Sequence, residues 1–194
     1  AVLRRYYGVR EFTADPNCVL RIAMTEARAD LRLADATQIH QGEAVGVVHL
    51  WNEHLPRFPS GGPDLHWANA MRHRIQRSLV ALADHVESDP EWLDVRAFCA
   101  CAALSGGLRP GRVQRFVRRY GFDLIETGEC SASSLRAIGE DIVIWALTRA
   151  FNPIAVRRQQ FLRPRHELWT SRQTLLARYG PDQAATGVAS PAHN

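Results

Sequence analysis

Two imidazoles, an indole, an amide and a carboxylate crowd into six consecutive residues, His49-Leu50-Trp51-Asn52-Glu53-His54. An imidazole beside a carboxylate can move protons near neutral pH, and an indole beside an amide can hold a polar ligand. His49, Glu53 and His54 are therefore the candidate catalytic residues, with Trp51 and Asn52 as candidate ligand contacts. The plainer alternative is a histidine that closes a strand on a nearby carbonyl, with Asn52 tying down the loop that follows. The strand-end position adds weight to the chemical reading without displacing the plainer one, because strand ends and loops carry binding and catalytic residues disproportionately.

A second concentration is purely basic. Arg112, Arg115, Arg118 and Arg119 follow Arg109 closely. At helical spacing Arg112, Arg115 and Arg119 line one face, which suits phosphate, an acidic head group or nucleic acid; the plainer alternative is a solvated helix face. No helix-turn-helix spacing, zinc-finger ligand set or aromatic RNA platform accompanies them, so nucleic acid ranks behind a small anion. A further basic group, from Arg157 to Arg172, interleaves Phe161 and Trp169 and reads as packing with snorkelling arginines.

All 24 basic side chains are arginine. The absence of lysine excludes Schiff-base catalysis and a P-loop lysine. No Gly-rich dinucleotide loop occurs and no cofactor is expected, and without a G-x-S-x-G elbow nucleophilic catalysis has little support. His49, His54, His66 and His73 lie close in sequence, but none forms an H-x-x-x-H or H-E-x-x-H pair, and no metal site is expected.

These residues need elements to hold them. Leu20, Ile22 and Met24 alternate with Arg21 and Ala23, a strand signal. Ala44 to Asn52 predicts a second strand with Val45, Val47, His49 and Trp51 on one face and Gly46, Val48, Leu50 and Asn52 on the other. Short turns at Ala34 to Thr37 and Gln41 to Glu43 allow only antiparallel pairing between these segments. Pro56 to Pro63 must be an irregular loop, lying over the strand end. Asp64 then caps a long helix to about Val86, with Leu65, Ala68, Met71, Ile75, Leu79, Leu82 and Val86 on its inner face.

Val95 to Leu104 reads as a buried strand, Pro110 to Tyr120 as a short helix capped by Gly121, and Phe122 to Glu126 as a strand. Helices are predicted over Ser131 to Phe151 and Arg165 to Tyr179. The fold class is α+β, with a small antiparallel N-terminal sheet packed by a long helix and a helical C-terminal third. Residues 1–181 read as one domain and 182–194 as a disordered tail.

With 46% apolar and 23% charged residues the composition is that of a globular domain. No apolar run approaches the ~20 residues that cross a bilayer. The chain opens on Ala1 and lacks the form of a signal peptide, the expectation being a processed chain or a piece of a longer one. Cys18, Cys99, Cys101 and Cys130 form no C-x-x-C pair and fit reduced, non-catalytic thiols in a cytoplasmic protein.

The run Asp35-Ala36-Thr37-Gln38-Ile39-His40-Gln41-Gly42-Glu43-Ala44-Val45, followed by Val48-His49-Leu50-Trp51-Asn52, resembles the YkoP-like domain family. That family carries a DGT-I-x-x-GD-x-V turn leading to an LH-x-x-N strand end, and Tyr120-Gly121-Phe122 resembles its GF step. The chain departs at Ala36, Glu43 and Val48, where Gly, Asp and Leu are expected. The resemblance implies a bacterial protein in an envelope or carbohydrate setting, some members being linked to polysaccharide deacetylases; no deacetylase motif is visible. The leading expectation is an accessory or ligand-binding domain for a small anionic or carbohydrate-derived envelope molecule. The rivals are a small acid/base enzyme working through His49 and nucleic-acid binding through the arginine helices.

Overall fold

Leu20 and Ile22 point one way from their strand while Arg21 and Ala23 point the other, and all four are buried, so this strand needs cover on both faces. The structure, a computed structural model, describes residues 8–62, 64–102, 110–125 and 166–181. Within these, strand β1 (Leu20–Glu26) is followed by two short strands, β2 (Leu31–Arg32) and β3 (Gln38–Ile39), and then by β4 (Ala44–Leu50). β1 and β4 pair antiparallel from Leu20 opposite Leu50 to Glu26 opposite Ala44, as the short connections require. On the outer side of β1, Arg10 exchanges backbone hydrogen bonds with Ile22, so the N-terminal segment covers that edge.

Helix α1 (Leu65–Ser88) starts where Asp64 accepts a 2.7 Å hydrogen bond from the Trp67 backbone N–H. Its buried residues, Ser78, Leu79, Leu82, Ala83 and Val86, recur every three or four positions and face the sheet. The helix carries the chain across to β5 (Ala97–Ala102), which lies parallel to β4. Helix α2 (Pro110–Arg118) and strand β6 (Asp123–Ile125) follow, and β7 (His166–Ser171) inserts antiparallel between β5 and β6. Helix α3 (Arg172–Tyr179) ends the described chain. The strand order is β1-β4-β5-β7-β6, with β2 and β3 forming a separate ribbon.

Two cores result. Leu20, Ile22, Val48, Trp92 and Phe98 meet Leu79, Leu82 and Val86 of α1, Val117 of α2 and Leu175 of α3 on one face of the sheet. On the other face Val45, Ala97 and Trp169 are closed over by Ala27, Leu33 and Ile39 around the ribbon. Cys18 is a buried thiol and Cys99 packs half-buried against the second core. Arg172 ties the layers together, donating to the Trp92 and Val86 carbonyl oxygens at 2.7 Å each.

The α+β class, the antiparallel N-terminal strands and the long helix match the sequence reading. Two details differ. Where a helix is expected over Arg165 to Tyr179, the described residues form a strand from His166 to Ser171 and a helix only from Arg172. Leu168 packs toward the first core and Trp169 lies in the second, a period of two that the seven-residue interval from Leu168 to Leu175 disguised as a helical stripe. The sheet is consequently larger than the N-terminal hairpin and mixed, because α1 supplies the crossover that a parallel β4–β5 pair requires. The helix expected over Ser131 to Phe151 and the tail 182–194 lie outside the described residues.

In the turn between β2 and β3, Ala36 adopts φ +67°, a left-handed backbone that an alanine side chain disfavours. This is the position where the resemblance leads one to expect glycine. Replacing Ala36 with glycine should raise the unfolding free energy by about 0.5–1 kcal/mol, the relief of strain exceeding the entropy glycine adds to the unfolded chain. Denaturant titration reads this directly, and an unchanged or lowered midpoint would count against a strained turn.

Candidate functional site

The strand-end residues gather around a side chain from the neighbouring strand. The Trp51 backbone N–H donates to Val19 O at 2.7 Å, prolonging the β1–β4 ladder, and Asn52–His54 then makes one 3-10 turn. That turn brings the His54 imidazole onto the Trp51 indole, with ring centroids 3.7 Å apart and planes within 17°. The Arg21 guanidinium lies 4.2 Å from the indole centroid. Arg21 is only 7% exposed and forms ion pairs with Glu11 at 3.3 Å and Glu53 at 3.5 Å. Register places His49 directly across from Arg21, on the same face of the sheet.

Helix α1 anchors this corner from the other side. Arg74 donates to the His54 carbonyl oxygen at 2.6 Å, and the Ser78 hydroxyl accepts the Val19 N–H at 2.9 Å. The Nδ1–H of His54 donates to Cys18 O at 2.8 Å, which in the neutral ring leaves Nε2 as an acceptor. Thus His49, Trp51, Glu53 and His54 do come together, but around Arg21. Trp51 is 8% exposed, so its indole packs inside the corner instead of offering a stacking surface. The Pro56 to Gly62 loop turns to the start of α1, where the Trp67 indole N–H donates to Pro56 O and Phe58 meets Trp67 edge-on.

The run that carries the family resemblance also serves the architecture. Asp35 accepts hydrogen bonds from the Ser171 hydroxyl, from the Thr174 hydroxyl at 2.9 Å and from the Thr37 N–H at 3.0 Å. Burial pushes its carboxyl up, yet the bonds from Ser171, Thr37 and Thr174 outweigh this and hold it down at about 2. Ser171 in turn caps α3 by accepting the Thr174 N–H at 2.9 Å. Asp35 therefore pins the ribbon to the start of the last helix. Glu43, at the second departure from the family pattern, accepts the His40 N–H at 2.9 Å and pairs with Arg96 at 3.4 Å.

The second group of candidates lies elsewhere. β1 and β6 are opposite edges of the sheet, and α2 packs beside β6. Val117 turns inward, which leaves Arg115, Phe116 and Arg119 exposed, with Arg118 on the flank. The side chain of Arg112 lies outside the described residues. Phe116, 57% exposed, meets Tyr120 edge-on at 5.4 Å. Burial raises the Tyr120 phenol, while Arg72 of α1 and Arg119 act in the opposite direction, which places both guanidiniums within electrostatic reach of that ring.

Arg178 of α3 crosses to the same end of α2 and donates to Arg119 O at 3.0 Å. It passes so near Gly121 (φ +78°) that a Cβ there would come within 2.8 Å of the arginine stem. Helical spacing alone brings Arg115 and Arg119 together in the sequence, whereas Arg178 and Arg21 reach these clusters only through tertiary packing. Among the described residues Arg10, Arg21, Arg77 and Arg96 pair with carboxylates, whereas Arg72, Arg115, Arg118, Arg119 and Arg178 do not. Also among the described residues, no group of three His, Cys, Asp or Glu side chains could hold a metal, and no helix is long and apolar enough to cross a membrane.

The described residues thus form an α+β fold, a mixed sheet with helices on one face, a ribbon on the other and an arginine-bearing helix beside its β6 edge. The chain belongs to the YkoP domain family, whose model matches residues 2–179. No curated protein and no solved structure gives a significant match.

Proposed function

We propose that this chain is an accessory binding domain for an anionic ligand, held against the exposed arginines of α2. One observation carries the reading: Arg115 on α2 and Arg119 in the turn that ends it are both exposed, and no described carboxylate neutralises them. Arg178 comes to the same end of α2 from another helix. Guanidinium grips phosphate or carboxylate oxygens in a planar fork, and several at one face raise both affinity and encounter rate. A net charge of +4 supports attraction of such partners. The envelope or carbohydrate setting implied by the family resemblance extends the proposal to sugar-derived anions. The acid/base reading at His49, Glu53 and His54 has less behind it, since Glu53 is engaged by Arg21 and Nδ1 of His54 by Cys18.

The test is a titration with short-chain polyphosphate and with a carboxylated sugar polymer at low and at moderate salt. Wild type should bind at least one, more weakly as salt rises. Arg115→Ala combined with Arg119→Ala should weaken that binding about tenfold, with the melting temperature preserved because both side chains are exposed. Equal binding by the double variant would sink the proposal.

A further inference from the structure

We propose that the anion held by α2 is the head-group layer of an acidic lipid membrane, with Phe116 entering the layer between Arg115 and Arg119; this rests on the anionic-ligand reading above. A soluble phosphate uses only the charges of this face and leaves Phe116 in water. An acidic lipid surface uses both, because phosphates meet the guanidiniums while the ring reaches the acyl boundary. The two parts are placed for that. Val117 fixes the inward side of α2, so Phe116 and the two arginines are directed away from the core. Tyr120 supports the Phe116 ring edge-on at 5.4 Å. Arg178 broadens the cationic rim beyond α2 itself, onto α3.

Charge complementarity thus selects the partner, and the exposed aromatic selects a surface with an apolar layer beneath its charges. Single-stranded nucleic acid fits this face less well. It favours a row of rings open to successive bases, whereas Phe116 and Tyr120 stand at 62° to each other and Tyr120 is half-buried.

The whole chain is sedimented with vesicles of equal parts phosphatidylglycerol and phosphatidylcholine, and with vesicles of phosphatidylcholine alone. Parallel titrations use short-chain polyphosphate and a single-stranded oligonucleotide. Of the two kinds of vesicle, only the acidic one should bind, and polyphosphate should bind through the arginines alone. Phe116→Ala should cut vesicle partitioning about tenfold while leaving polyphosphate binding unchanged, and Arg115→Ala with Arg119→Ala should reduce both. Melting temperatures confirm that each variant is folded. If polyphosphate binds and acidic vesicles do not, the membrane assignment falls while the anion reading stands. If neither binds, both fall. Vesicle binding indifferent to Phe116→Ala, or an oligonucleotide bound more tightly than vesicles and dependent on Phe116, overturns the assignment.

Discussion

Arg21→Ala is expected to lower the unfolding free energy by about 3 kcal/mol, among the largest losses of any polar substitution in this chain. The side chain is buried, its guanidinium lies 4.2 Å from the Trp51 indole centroid, and it reaches both Glu11 and Glu53. The two carboxylates are about one-third exposed and can rehydrate, so their ion pairs alone account for only a small part of the loss. Most of it comes from the emptied space beneath the indole and the lost cation–π contact. Arg21→Met separates these contributions, since it keeps an apolar stem and removes the charge; it should lose about half as much. Denaturant titration of both variants measures the difference. A loss below about 1 kcal/mol for Arg21→Ala would mean that the strand-end cluster is not a structural joint. Because the cluster lies at the sheet edge opposite α2, anion binding by the folded variants should remain at the wild-type level.

The same corner shows how far sequence carries. The alternation of β1 and β4 is legible residue by residue, because half-buried strands leave a period-two pattern. That pattern placed His49 at a strand end and gathered Glu53 and His54 beside it. It could not name their centre. Arg21 reads as the polar side of a strand until register with β4 sets it opposite His49 and beneath a second layer. The long helix is legible from its cap and from the apolar spacing of its second half, whereas Leu65 and Ala68 continue that spacing without being buried. The segment around Trp169 was not, since Leu168 and Leu175 satisfy a helical interval while serving two cores from a strand and the helix after it. Arg115 and Arg119 were found by spacing, whereas Arg178 arrives from a distant element. Contacts of that kind are written in topology, which a local window does not contain.

Gly46→Ala is the substitution expected to damage the fold most for its size, by about 3 kcal/mol. Gly46 lies in β4 beside Phe98 of the parallel strand β5. A Cβ built there falls 2.3 Å from Phe98 Cδ1 and 2.6 Å from Cε1, well inside any tolerated contact. Phe98 has nowhere to go, being fully buried with Trp92 at 6.3 Å behind it. Close-packed interiors answer such an insertion with off-rotamer side chains or a shifted backbone, and here the backbone is a central strand pair. An isolated glycine among valines already signals a close approach in a strand, and the phenyl ring is what approaches. Phe98→Leu opens that space at its own cost of about 1–2 kcal/mol, so the double variant should be more stable than the sum of the two single losses predicts. Equilibrium unfolding of the four proteins in this cycle measures the coupling. Strictly additive losses would show that the ring does not fill the space above Gly46, and that β4 and β5 are held together by some other contact.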